Sequence, residues 1–263
     1  MREGVALNIR QQNIAEWLQK TQSASIQDLS EQFQVSDETI RRDLRYLAQQ
    51  GLVEKFHGGV RLNEERTEAP FQRRMREMAD AKRLIGIAAS ALIADKSTVF
   101  LDNSSTSCFL ARQLALRSGL TVITLSLEVA KILSASGQRH RVILPGGELR
   151  VDDQTLIGAD AIRFASQFTP NYCVISVAAV SPDHGCMDFD LFETEFKRVM
   201  MPLAETVILL ADSSKFRKSG LIKVCDLAAF DIMVTEAAPP AIIADQLDHA
   251  DTSLVIAPGE AGT

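Results

Sequence analysis

Basic charge is not in excess in this chain. Its 263 residues carry 28 Lys and Arg against 34 Asp and Glu, a formal net charge of −6. That excludes a generally basic nucleic-acid coat protein. Long apolar runs are also missing. No stretch of about 18 apolar residues occurs, so no membrane-spanning helix is expected. The opening run MREGVALNIRQQ turns polar too early for a secretory leader. Cysteine is scarce, and Cys108, Cys173, Cys186 and Cys225 form no CxxC pair. This excludes a disulfide framework and the common zinc-finger spacings, and it fits a reducing cytoplasm. His57, His140, His184 and His249 form no HExxH motif. Neither a metal nor a cofactor is expected. Internal repeats and low-complexity segments are absent too. What remains, 46% hydrophobic and 24% charged, is an ordinary folded composition. The length suits one large or two modest domains.

The pattern changes near residue 62. Residues 1–62 read as short helices followed by a hairpin. Residues 63–83 are almost all polar or charged and read as a solvated linker, helical after Pro70. From residue 84 to 263, helical patterns alternate with short β-rich runs at 98–102, 120–124, 140–144, 172–178, 206–211, 231–235 and 252–256. Apolar runs separated by helices predict an α/β fold with a mostly parallel sheet covered on both faces.

In the first segment, Asn8–Lys20 places Ile14, Trp17 and Leu18 on one helical face. Ser25 is a good N-cap for a second helix that buries Ile26, Leu29 and Phe33. Ser36 caps a third, with Asp37 and Glu38 at its positive end. Taking Ile40 as zero and about 100° per residue, Leu44 and Leu47 fall within about 40° of it. Arg41, Arg42 and Arg45 fall at roughly 100°, 200° and 140°, on the solvent face. The short Gln34-Val35 turn makes helices two and three a helix-turn-helix. After Gly51, LVEKFHGGVRL reads as two strands around His57, Gly58 and Gly59, the wing of a winged helix. Residues 39–62 hold five bases and two acids, a local charge of +3 in an acidic chain. The candidate DNA contacts are Ser36, Thr39, Arg41, Arg42, Arg45, His57, Gly58 and Gly59.

VSDETIRRDLRYLAQQGLVEKFHGGV, Val35 to Val60, closely resembles the signature of the deoxyribose-operon repressor (DeoR) family of bacterial transcription regulators. PFQRRMREMADAKRLIGIAA resembles that family's linker helix. FLDNSST, LPGGELR, ETEFKRVMM and ADSSKF resemble its effector-domain motifs, in the family's order. The resemblance spans about residues 7–256. It implies a regulator, more often a repressor than an activator, of a sugar or polyol catabolic operon; since a single winged helix reads only a short site, a homo-oligomer, dimer or tetramer, on double-stranded operator DNA is expected. It implies a Rossmann-like effector domain akin to ribose-phosphate isomerases, and a phosphorylated sugar or polyol as the usual effector. MDFDLFETEFKR is closest to the glycerol-phosphate repressor branch. The family pattern often has Gly where this chain has Ser104, and glycines where residues 176–180 read SVAAV.

Ligands of open parallel sheets bind outside the carboxyl ends of the strands. The motifs fall there on the strand reading above. Asp102, Ser104, Ser105 and Thr106 follow the first strand of this region, where hydroxyls and helix-start amides suit a phosphate or merely cap the helix. Gly146 and Gly147 follow the third, and Lys215 follows the strand at 206–211. Glu193 and Lys197, spaced i,i+4, either form a surface salt bridge or hold sugar hydroxyls and anionic groups. These nine are the candidate effector contacts. The alternative is a sugar-phosphate isomerase-like enzyme with an appended winged helix, although no base-plus-nucleophile constellation is apparent and no catalytic residue is assigned.

Overall fold

Three helices and a hairpin build the first of two units, Met1–Pro70. The structure is a computed structural model and describes residues 8–21, 23–49, 52–56, 59–62 and 68–259. The order is α1 (Ile9–Thr21), β1 (Ser23–Ala24), α2 (Ile26–Phe33), α3 (Asp37–Gln49), β2 (Val53–Phe56) and β3 (Gly59–Leu62). Ser25 opens α2 with a capping box: its hydroxyl accepts from the Asp28 amide, and the Asp28 carboxylate accepts from the Ser25 amide. Gln34, at φ 51°, ends α2 in the left-handed region and turns the chain into α3. Of the predicted stripes, Ile14, Leu18, Leu29, Ile40, Leu44 and Leu47 are buried, while Trp17, Ile26 and Phe33 are half-buried. β2 and β3 pair antiparallel with Phe56 opposite Gly59, and β1 adds to the far edge of β3. This is a winged helix-turn-helix. Gly59 is needed for a reason other than turning: a Cβ there would lie 2.5 Å from the Ala24 carbonyl oxygen, so its lack of a side chain lets β1 approach.

The second unit, Phe71–Thr263, runs α4 (Phe71–Arg74), α5 (Ala79–Leu92), β4 (Thr98–Leu101), α6 (Ser105–Leu114), β5 (Thr121–Thr124), α7 (Leu127–Ser134) and β6 (Arg141–Ile143). A hairpin, β7 (Glu148–Arg150) and β8 (Thr155–Ile157), precedes α8 (Ala159–Ala165), β9 (Tyr172–Ser176), β10 (Ala179–Ser181), β11 (Gly185–Asp188) and α9 (Leu191–Met200). The chain ends through β12 (Thr206–Leu210), β13 (Ile222–Cys225), β14 (Ile232–Thr235), α10 (Ala241–His249) and β15 (Ser253–Ile256).

Seven of these strands form a wholly parallel sheet in the order β15-β14-β12-β9-β4-β5-β6. They are the seven predicted strands, shortened by one or two residues. Side chains alternate between two apolar layers. Phe100, Ile175 and Leu209 face one; Val99, Leu101, Val174, Ile208 and Leu210 face the other. Both faces are covered, which is why the strands read as continuous apolar runs. From β4 the chain builds outward through β5 and β6; from β9 it builds the opposite way. The topological switch point therefore lies between β4 and β9, the expected ligand position in such a sheet.

Two features differ from the expectation. The proposed boundary at 83–84 falls inside α5. Ala81, Ile85 and Ala89, spaced by four, bury one face of that helix, and Lys82 is buried beside them. Within the described residues of that stretch, Gln72, Arg73, Arg76 and Asp80 are exposed, while Lys82 is buried. The second difference is a pair of small antiparallel sheets, β7-β8 and β10-β11-β13, that the periodicity does not mark. Gly147, at φ 151°, starts the first of them, and a Cβ there would meet the Ile157 carbonyl oxygen at 2.5 Å.

Candidate functional site

Two sites emerge, one in each unit. On α3 the guanidinium side chains of Arg41, Arg42 and Arg45 are all exposed. The acid between them is not. Asp43 points inward, accepting from Arg10 Nε at 2.6 Å and Gln11 Nε2 at 3.0 Å, which fixes α3 to α1. Turning that carboxylate inward onto Arg10 leaves the outer face of α3 more basic than its sequence suggests. At the helix start, the Ser36 and Thr39 hydroxyls lie 2.9 Å apart, and Ser36 Oγ lies 3.4 Å from the Thr39 amide, the expected cap. Arg41 shares a crevice of about 340 Å³ with Lys55, Phe56 and Gly59 of the wing. Lys55 is one of the five bases of residues 39–62 but not one of the candidate contacts. On the wing, Arg61 pairs with Glu54 at 3.0 Å across the strand register, a surface pair of little energetic weight. His57 and Gly58 lie outside the described residues.

In the second unit Asp102, Ser104, Ser105, Thr106, Glu193 and Lys197 gather at the switch point, whereas Gly146 and Gly147 follow the edge strand β6. Asp102, just past β4, is buried and fully engaged. Its Oδ1 accepts from the Ser104 amide at 3.0 Å and the Ser107 hydroxyl at 2.5 Å; its Oδ2 accepts from the Ser176 amide at 2.8 Å. Asp102 thus clamps the end of β4 to the end of β9. Ser104 caps α6 by accepting from the Ser107 amide at 3.0 Å. Ser105 and Thr106 are buried at the first two helical positions, where amides lack intrahelical acceptors. A Cβ on Gly146 would meet open space, in contrast to Gly147.

Of the two readings of Glu193 and Lys197, the surface bridge does not occur. Both are buried, and each has other partners. Lys197 Nζ donates to the Ser176 carbonyl at 2.7 Å and to Asp188 Oδ2 at 2.5 Å, with Asp102 Oδ2 at 3.6 Å. Burial would lower its pKa, but Asp188, Asp102 and Glu193 raise it further, so the ammonium stays charged. Glu193 pairs with Arg150, whose guanidinium also reaches Asp153 at 2.5 Å and Asp190 at 3.0 Å. Burial pushes the Glu193 carboxyl up; the Arg150, Lys197 and Arg74 charges and an Asn103 hydrogen bond outweigh it and hold it at about 2. Arg150 lies within LPGGELR but is not one of the nine candidates. One cation ringed by three carboxylates leaves no local signal when two of those carboxylates come from a distant segment. Asn103, donating to Asp153 Oδ2 at 3.3 Å and Thr155 Oγ1 at 3.2 Å, escapes sequence reasoning for the same reason.

Lys215 lies half-buried in a 3-10 turn, Ser213–Arg217, beyond β12. Asp212 caps that turn through the Ser214 amide at 3.1 Å. The departures at SVAAV turn inward, since Val177 and Val180 belong to the apolar layer under the sheet. Cys108 and Cys173 are core residues, and burial pushes the Cys108 thiol up to about 12. Among the described residues no group of three metal-ligating side chains occurs, and no helix is long and apolar enough to cross a membrane.

Residues 10–66 match the DeoR-like helix-turn-helix domain, and residues 77–237 match the DeoR C-terminal sensor domain. The chain belongs to the DeoR family. The HTH-type transcriptional repressor CsqR of Escherichia coli (strain K12) is 32% identical over 232 residues, 88% of either chain. The glycerol-3-phosphate regulon repressor of the same organism is 32% identical over 241 residues, 91% of this chain and 95% of that one. The HTH-type transcriptional regulator IolR of Bacillus subtilis (strain 168) is 30% identical over 227 residues, covering 86% and 90%. This DeoR-family chain is therefore a transcriptional regulator, and the enzyme alternative is not favoured. Among solved structures, ribose 5-phosphate isomerase A of Methanocaldococcus jannaschii aligns with a TM-score of 0.39 and 14% identity, covering 53% of this chain and 55% of that one. Those values are too low to carry any chemistry across.

Proposed function

We propose that this DeoR-family regulator is a cytoplasmic repressor of a sugar or polyol catabolic operon. On this reading it binds double-stranded operator DNA as a homo-oligomer, and a phosphorylated sugar or polyol controls it. The observation that carries the DNA side is the outward face of α3. Three exposed guanidiniums remain there after Asp43 is turned inward onto Arg10. Arg is the residue that reads guanine edges and phosphates in two-pronged fashion. Ser36 and Thr39 sit at the end of that helix nearest the bases, and the wing lies against backbone or in the minor groove. The effector side is supported by a polar site at the switch point of a parallel sheet and by a relative named for a glycerol-3-phosphate regulon. Glycerol phosphate is accordingly the first candidate.

One winged helix contacts only a short stretch of duplex, so paired half-sites are needed for an operator. Half-sites are then spaced by a helical turn of about 10 base pairs or a multiple of it. Selection of bound sequences from a random duplex pool by the full chain tests this. The expected outcome is enrichment of a repeated or palindromic motif with fixed spacing. Enrichment of no motif after several rounds contradicts the reading.

A further inference from the structure

Two of the four cysteines face each other. In the small antiparallel sheet, Cys186 of β11 and Cys225 of β13 are register partners. Directly opposed residues project their side chains from the same face of a sheet. Their Cα atoms lie about 4.5–5.5 Å apart in such a ladder, within the roughly 4.4–6.8 Å that a disulfide spans. The close approach of the two strands is enforced at this point. Gly185, at φ 72°, comes one residue before Cys186, and a Cβ on it would lie 2.4 Å from the Cys225 carbonyl oxygen. The register then shifts, because Met187 faces Lys223 and Val224 bulges between the two pairs.

The two thiols differ in their surroundings. Cys186 is wholly buried in the apolar layer under the main sheet, whereas Cys225 at its rim is half-buried. A hydrogen bond with Cys225, and then burial, push the Cys186 thiol up. One sulfur is thus open to a small reagent, and the other stands in contact behind it. The remaining cysteines lack this arrangement. Cys173 faces Phe100 and Val207 across its two neighbouring strands, and Cys108 lies on α6. The facing pair also sits beside the polar network. Asp188, the ion partner of Lys197, lies two residues along β11 and on the same face as Cys186. On the other strand, Arg198 of α9 donates to the carbonyls of Val224, at 3.1 Å, and of Lys223.

We propose that Cys186 and Cys225 are a reversible oxidation site, a dithiol that a hydroperoxide converts into a disulfide. The Cys225 thiolate attacks the hydroperoxide ROOH, and the O–O bond breaks. Its sulfur becomes a sulfenic acid, and RO⁻ takes up the proton that the thiol had lost, leaving as ROH. The Cys186 thiol then attacks that sulfur. The S–S bond forms, the S–O bond breaks, and the hydroxyl leaves as water with the Cys186 proton. Two thiols are oxidised by two electrons, and one hydroperoxide is reduced to an alcohol and water. In a reducing compartment the resting form is the dithiol, and the disulfide forms only while oxidant is present. The bond closes residues 186–225 into a loop that contains α9, β12 and the turn Ser213–Arg217. It fixes the strand carrying Asp188 to the strand that Arg198 holds against α9.

The test treats the reduced full chain with hydrogen peroxide, blocks the remaining thiols with N-ethylmaleimide, and maps unreduced peptides by mass spectrometry. The expected result is one peptide pair linked through Cys186 and Cys225, with Cys108 and Cys173 recovered as blocked thiols. Dithiothreitol should return all four as thiols. The oxidised chain should melt roughly 5–15 °C higher than the reduced chain, since the bond restricts the unfolded state. Cys225→Ala should abolish both the linked pair and the rise in Tm. The peptide map of the wild type decides the matter even where a variant fails to fold. Four thiols surviving in folded protein, a sulfinic acid on Cys225 with Cys186 still free, or a link between two chains would each overturn the proposal. A linked pair with no rise in Tm would overturn the hold on residues 186–225.

Discussion

Replacing Arg41, Arg42 and Arg45 together by Ala is expected to weaken operator binding about 10²–10⁴-fold at physiological salt. Each guanidinium that reaches a base edge is worth about 1–3 kcal/mol, and one that reaches a phosphate somewhat less. The two roles are separable. Removing a side chain that neutralises a phosphate lowers the slope of log affinity against log salt by about 0.9. Removing one that reads a base edge relaxes sequence preference and leaves the slope unchanged. Arg42→Ala alone should weaken binding measurably. Because all three side chains are exposed, thermal stability should move by no more than about 0.5 kcal/mol. Fluorescence anisotropy across a salt series, paired with a melting curve, reads both. A triple variant with wild-type affinity and slope would mean that α3 does not face the duplex.

The second large effect is structural. Lys197→Met is expected to destabilise the sensor unit by about 3–5 kcal/mol, because Asp188 and Asp102 lose the ammonium between them while staying buried. For a unit of this size that lowers Tm by roughly 6–20 °C. The cause is the stranded negative charge rather than the missing hydrogen bond, which a double-mutant cycle can verify. Adding Asp188→Asn to Lys197→Met should restore a large part of the stability, since a neutral buried pair costs less than an unpaired anion. If Lys197→Met is near-neutral, the buried network is not the clamp that joins the ends of β4 and β9.

Much of the fold is legible in the sequence. Runs such as TVFL and TVILL are apolar on both faces because both faces are buried, so the seven parallel strands announce themselves. The stripes of α2 and α3, and the Ser25 cap, are local and equally readable. What stays hidden depends on segments distant in sequence. Glu193 and Lys197 carry the i,i+4 spacing of a surface bridge. Their burial depends on Arg150, 43 residues before Glu193, and on Asp102, at the end of another strand. Asp43 lies about 60° from Ile40 on the helical wheel, beside the apolar stripe, but its partner Arg10 is 33 residues upstream and leaves no local sign. The three-residue strands of the small antiparallel sheets are too short for any periodicity. Lys82 reads as one more charge in a polar linker, yet Ala81, Ile85 and Ala89 carry it into the interior. The same logic separates the glycines: Gly59 and Gly147 are fixed by close backbone approaches that no local pattern displays.

The central claim is that one chain couples operator DNA to a phosphorylated ligand. The most direct measurement is anisotropy of a labelled duplex taken from upstream of the gene itself or of its neighbours. The full chain is titrated at fixed salt, with and without glycerol 3-phosphate and the rest of the phosphorylated panel. Tight, sequence-selective binding is expected, with an affinity that shifts with one phosphorylated compound and not with its free counterpart. A ligand that binds the two DNA-competence states unequally must produce such a shift, by a factor no larger than that inequality. Selective binding that no phosphorylated compound alters, or binding indifferent to sequence, would contradict it.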